Sequence, residues 1–340
     1  NFGFTLTGLY SQIFNQQYMS ALRWAPTSNI ANYGTLANPV LSEVSLKDGP
    51  KFTWRYSIGG TMDWRVAPRD VVSFSASWNA FDATFQEHIV TIRTGAPGVW
   101  GPAFTQGGTS GSVVYGPNQR KAFRQTYVVN TKYRHNGPVW KFEANAYTSH
   151  SKGLFRDMDY GYFQAVNYTQ SGLRIRFDGI NETRPDSITA ATLDGTPTDI
   201  RKIGGRTIGT ASTQPVDAFK TDKGVKANIS RHIDLFGLPI QVKAGIDARR
   251  AIADARQPYR QWTFVGPDGR AGTADDLAGN YDLIDTSNSS VPAPYGYGRW
   301  EYPSNHKGYD LFRAHPEYFL HNAAYAIQQN ALNSKNITED

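Results

Sequence analysis

Residues 51–66 read KFTWRYSIGGTMDWRV, and every second position is apolar or glycine: Phe52, Trp54, Tyr56, Ile58, Gly60, Met62, Trp64 and Val66. Between them lie Lys51, Thr53, Arg55, Ser57, Gly59, Thr61, Asp63 and Arg65. A period of two puts these sets on opposite faces of a β-strand. The pattern recurs around 2–10, 72–80, 123–134, 140–146, 219–233 and 240–248. Seven strands are therefore expected, each with one apolar and one polar face.

The connections are of two kinds, and they alternate. Ala67-Pro68-Arg69, His135-Asn136-Gly137-Pro138 and Leu235-Phe236-Gly237-Leu238-Pro239 are short turns built on glycine and proline. The others, at about 15–50, 94–119 and 151–218, far exceed the usual loop median of about 4–6 residues. Strict alternation puts all short turns at one end of the sheet and all long loops at the other. Residues 1–252 thus read as a sheet with long loops, and 253–340 as a further large loop region. Within the latter, EYFLHNAAYAIQQNALN (317–333) suits a helix through Tyr318, Leu320, Tyr325, Leu332 and its alanines.

Alternation fits two settings. In a soluble sandwich the apolar face packs a core; in a membrane barrel it meets lipid and the polar face lines a lumen. Soluble strands usually run about 5–6 residues, whereas tilted membrane strands need about 9–11. Trp54 and Trp64 lie ten residues apart on one face. At 45° tilt that is roughly 23 Å, close to the ~25 Å between the aromatic girdles of an outer-membrane barrel. Trp140 adjoins a short turn and Trp78 lies high on its strand, matching the lower and upper girdles, with Tyr56 on the same lipid-facing side. Small and aliphatic residues (Ile58, Gly60, Ala76, Ala144, Ala244) occupy the middle. The charged face (Arg55, Asp63, Arg65, Lys132, Lys141, Glu143, Lys226, Lys243, Asp247) suits a hydrated lumen or a soluble exterior equally. The connection asymmetry favours the barrel. The expected fold class is all-β: a partial, antiparallel up-and-down transmembrane β-barrel with about seven long strands, short periplasmic turns and long extracellular loops.

Composition narrows the chemistry. The 340 residues include no cysteine, which removes disulfides, thiolate metal sites and thiol catalysis. Aromatics reach 13%, and mean hydropathy is −0.50 with no apolar run long enough for a spanning helix. The net charge of +6 is scattered, with no basic stripe for nucleic acid. No P-loop and no HExxH occurs, and Gly107-Gly108-Thr109-Ser110-Gly111 lacks nucleophile-elbow spacing. No catalytic residue or cofactor is expected. The seven histidines (88, 135, 150, 232, 306, 315, 321) are dispersed, and exposed or turn positions account for them. In GPDGRAGTADD, Asp268, Asp275 and Asp276 suit either a calcium loop or a polar turn. Tyr295, Tyr297, Trp300, Tyr302 and Tyr309, separated by glycines and polar residues, suit either stacking on a flat or sugar-like ligand or packing between loops.

Several stretches resemble TonB-dependent outer-membrane receptors: YSIGGTMDWRVAPRDVVSFSASWNAFD, GVKANISRHIDLFGLPIQVKAGIDAR, and GPDGRAGTADDLAGNYDLID followed by HPEYF. The resemblance implies a 22-stranded barrel plugged by an N-terminal domain and energised through a TonB box. It also implies outer-membrane lipid and lipopolysaccharide as surroundings, the TonB complex as partner, and uptake of a scarce ligand such as a siderophore, cobalamin or glycan. Seven strands, with neither plug, box nor C-terminal aromatic strand, read as an internal fragment of such a receptor that contacts TonB through segments outside it. A passive porin-like channel and a soluble β-rich carbohydrate-binding or hydrolase domain remain alternatives.

Overall fold

A computed structural model describes residues 1–25, 34–35, 37–96, 98–286 and 296–333, with side chains to residue 328. Seven long strands form an antiparallel meander: β1 (Phe2–Ala25), β2 (Val40–Ala67), β3 (Asp70–Arg93), β7 (Asn118–Asn136), β8 (Trp140–Phe155), β12 (Val216–Leu235) and β13 (Leu238–Arg256). Short strands fill the long connections: β4 (Val99–Gly101), β5 (Phe104–Gln106), β6 (Gly111–Tyr115), β9 (Ala165–Asp178), β10 (Ser187–Ala191) and β11 (Thr207–Thr213). After β13 come β14 (Arg260–Phe264), helix α1 (Asn305–Ala314), β15 (Phe319–His321) and helix α2 (Ala323–Asn333). The protein is antiparallel and predominantly β.

The tight turns are as the sequence suggests. At the β12–β13 turn, Phe236 and Gly237 both adopt positive φ (54° and 76°), the geometry that matches the twist of two paired strands.

Pairing aligns the alternating faces into continuous rows. Phe2, Trp64, Val72, Tyr133, Ala144, Ala227 and Ile246 lie side by side across all seven strands. One residue along each strand, on the other face, the row reads Gly3, Asp63, Ser73, Lys132, Asn145, Lys226 and Asp247. The polar face is tied by cross-strand bonds, with Lys132 to Glu143 at 2.7 Å, Lys226 to Asp247 at 3.7 Å, and Ser57 Oγ donating to Asn79 Oδ1 at 2.6 Å.

The apolar face is bare along the lower sheet. Ile58 is 51% exposed, Trp64 52% and Ile246 68%. The same face of the same strands is covered further up. Val44 and Leu46 of β2, and Val90 and Ile92 of β3, are buried in one core with Val113, Tyr115, Tyr168, Ile175 and Phe264 from the loop strands. These loops form a folded cap over the upper strands. The cap joins the wall through β3, which pairs with β7 from Asp70 to Glu87 and with β6 from Val90 to Arg93. Among the described residues β1 pairs only with β2, and β13 only with β12.

Two expectations are corrected. The segment 15–50 is not mainly loop, since β1 runs to Ala25 and β2 starts at Val40. The cap supplies apolar cover there, so strand pairing continues beyond the clean alternation. The helix expected over 317–333 is confined to Ala323–Asn333. Ahead of it Phe319 pairs with Phe264 and buries its ring 5.0 Å from it and 5.3 Å from Phe312, which a continuous helix would forbid. Asn322 Oδ1, accepting from Tyr325 N at 3.1 Å, caps the shortened helix.

Where β2 crosses from wall to cap, Gly49 has φ 152°, and a Cβ there would fall 1.7 Å from the Gln86 carbonyl oxygen. Gly49→Ala is expected to cost about 1–3 kcal/mol through the backbone conformation alone. Amide exchange should quicken at Lys47–Lys51 and at Phe85–His88; unchanged exchange at both would show that the strands absorb the clash.

Candidate functional site

Aromatic side chains border the bare band. Tyr10, Tyr56, Trp78 and Tyr127, one from each of β1, β2, β3 and β7, form a ladder with ring centroids 5.6, 6.5 and 6.5 Å apart. Trp54 shares this face and stacks on Phe52 at 6.1 Å, while Trp64 and Trp140 lie toward the short turns. All five tryptophan and tyrosine positions read as girdle (Trp54, Tyr56, Trp64, Trp78, Trp140) are thus on the apolar face or at its lower rim.

Above the band, Asp285 and Tyr302 are pinned to the wall by a buried cluster. His88 is 2% exposed. Its Nδ1 bonds Asp48 Oδ1 at 2.9 Å, and its Nε2 lies 3.7 Å from Asp285 Oδ2. Tyr302 stacks on the imidazole at 4.1 Å and donates its hydroxyl to Asp48 Oδ2 at 2.8 Å. Gln86 Nε2 donates to Asp285 Oδ2 at 2.7 Å. Burial opposes the charge on His88, but Asp285 and Asp48 together outweigh it and hold the pKa above the usual imidazole range. His88 therefore corrects the expectation that all histidines are exposed or in turns. Three partners come from distant parts of the chain, so no local motif announces the cluster.

Beside this latch, the β10 hairpin, residues 197–201 and residues 296–300 enclose an open cleft of about 750 Å3. Asp186, Thr189, Asp199, Arg201, Tyr297 and Trp300 are among its lining residues. Arg201 grips Asp199 with two bonds of 2.8 and 3.0 Å, and its bond holds the Asp199 carboxyl below the ordinary range. Tyr297 carries the Arg184 guanidinium 5.5 Å over its ring, and burial pushes its hydroxyl up to about 12. Trp300 is 6% exposed, packed 6.1 Å from Tyr115, and its Nε1 has no hydrogen-bond partner. Beneath Tyr115 the fully buried Arg206 sits 4.0 Å from the ring and donates to the Lys202 and Ile200 carbonyls. The floor of the cleft is thus held by an internal cation. Carboxylates, a guanidinium and hydroxyls equip the cleft to bind a polar solute by hydrogen bonds.

The structure divides the predicted aromatic set. Tyr297 and Trp300 reach the cleft, whereas Tyr302 is committed to His88, and Tyr309 packs 5.4 Å from Phe163. Tyr295 lies outside the described residues. Tyr302 and Tyr309 are thus packed between elements, and Tyr297 and Trp300 are the rings that border the cleft.

The predicted acidic turn is compact. Asp276 is completely buried, and its Oδ2 accepts from Gly272 N at 2.6 Å and Thr273 N at 3.2 Å, while Oδ1 has no partner. Asp275 Oδ2 accepts from Asp268 N at 3.1 Å, and Oδ1 accepts from the Thr273 hydroxyl. Asp268 turns its own Oδ1 to Arg270 N at 2.8 Å. Burial raises the Asp276 pKa, against the pull of the two N–H bonds, whereas the Thr273 bond lowers that of Asp275. Among the described residues no three His, Cys, Asp or Glu side chains converge as a metal-binding group.

No family model, no curated protein and no solved structure matches this chain.

Proposed function

We propose that this chain is a segment of a TonB-dependent outer-membrane receptor: seven wall strands of a β-barrel with the outer cap that receives a scarce ligand. The observation that carries the reading is the single apolar face with two fates. Its upper part is buried by the chain's own cap, and its lower part, fringed by aromatics, is covered by nothing among the described residues. Leaving so many rows of apolar side chains in water is unfavourable at roughly 25 cal/mol per Å2. Lipid as the missing cover removes that cost, and the polar face then borders water inside the barrel. Further strands would pair with the edges of β1 and β13 and close the wall. The cleft beside the latch lies on the cap side, where a ligand from outside arrives first. The TonB dependence rests on the family resemblance of the wall and loop stretches.

These 340 residues hold no cysteine, so a label placed in them is unique once any cysteine elsewhere in the gene product is replaced. Single cysteines at Ile246 and Asp247 in the full-length gene product, spin-labelled in liposomes, should alternate. The label at 246 should meet lipid-dissolved oxygen, and the label at 247 a water-soluble nickel chelate. Equal access to water at both sites, or a monodisperse protein without detergent, would remove the membrane reading.

A further inference from the structure

The acidic turn carries an inference independent of the membrane reading. Every polar atom of Asp276 except one is accounted for: Oδ2 takes two backbone N–H groups, and Oδ1, in a completely buried residue, takes none. That bare oxygen has a direction. The point where a Cβ of Gly266 would sit lies 2.6 Å from Asp276 Oδ1 and 2.8 Å from Asp275 Oδ2. The two carboxylate oxygens therefore approach each other beside the Gly266 Cα, an approach that a side chain at residue 266, at φ 57°, would block. A buried carboxylate oxygen without a partner is costly, and a second carboxylate beside it adds repulsion.

We propose that this turn binds a hard divalent cation, calcium, through Asp276 Oδ1 and Asp275 Oδ2, with backbone carbonyls of the turn and water completing the shell. The donors are all oxygen, which selects calcium or magnesium over softer metals. An irregular set of oxygen donors suits the larger, geometrically tolerant calcium ion. Asp268 is not counted among the ligands: its backbone N–H supports Asp275 Oδ2, while its carboxylate turns to Arg270 N and is not among the atoms facing Gly266. With two carboxylates the site belongs to the weak class, with Kd about 10⁻⁴–10⁻³ M.

Terbium replaces calcium and luminesces when a nearby tyrosine is excited, and Tyr281 donates its hydroxyl to the Asp275 carbonyl at 2.9 Å. Titrating terbium into the full-length protein in detergent should give a saturable signal that calcium displaces. D276N should weaken binding by more than about tenfold, the lower end of what even outer-shell changes cost, and D268N should leave it unchanged. Calcium should also slow amide exchange over 266–280 in the unsubstituted protein, a readout that needs no variant to fold. No saturable terbium signal, equal binding by D276N, or unaltered exchange at about 10 mM calcium would overturn the site and leave the carboxylates sharing a proton instead.

Discussion

Ile58→Arg should destabilise the full-length protein in a bilayer by about 2–4 kcal/mol, the cost of a guanidinium near the membrane midplane. Ser57→Arg, one residue earlier, should cost far less. The two positions share a strand, a level and a similar backbone, so propensity and local pairing cancel in the comparison. Ile58 lies beside Gly8 and Trp78 on the apolar face, whereas Ser57 bonds Asn79 on the polar one. Only the medium differs. Reversible unfolding in lipid vesicles with urea reads the difference directly. Equal costs would mean that the faces do not meet lipid and water, and a soluble sheet would have to be reconsidered.

His88→Ala should loosen the cap rather than the wall, by up to about 3–5 kcal/mol, because it removes the cationic partner of two buried carboxylates, Asp48 and Asp285, to which Tyr302 and Gln86 still donate. Its partners lie above the apolar band, so the lower strands keep their pairing. The latch should also depend on pH in a definite direction. The folded pKa of His88 lies above the unfolded value of about 6.5. Its contribution is therefore complete below that value and disappears as pH rises through the folded pKa. Amide exchange over residues 298–304 should accelerate at alkaline pH in the native protein and be fast at all pH values in the variant. A cap equally protected in both proteins would show that the imidazole is not what holds Asp285 and Tyr302 against the wall.

The lower wall was readable from the chain because a bare face on one side and a polar face on the other impose strict alternation, as from Phe52 to Val66. The upper halves of β1 and β2 were harder. Gln16 and Gln17 interrupt the period, and the glycines, asparagines and threonines of the connection blur where it resumes at Val40. Val44 and Leu46 continue the spacing of two, and that was the available signal. The acidic turn was visible as a sequence, but only coordinates separate Asp268, facing its own turn, from Asp275 and Asp276. His88, Asp48, Asp285 and Tyr302 meet across as many as 254 residues, so nothing local could announce them. The aromatic loop is conspicuous in the sequence, but its spacing does not say which rings pack and which border a cleft. Trp300 and Tyr302 are prized for filling space against Tyr115 and His88, and the cleft takes shape from that packing.

The change of partner along β3 has a mechanical consequence. One uninterrupted strand serves two ladders, so the outer lobe cannot swing on a hinge without first tearing backbone bonds. Fluctuations of the lobe must then come from bending between Gly49 and Glu87 or from loop edges, with the shared strand itself kept in register.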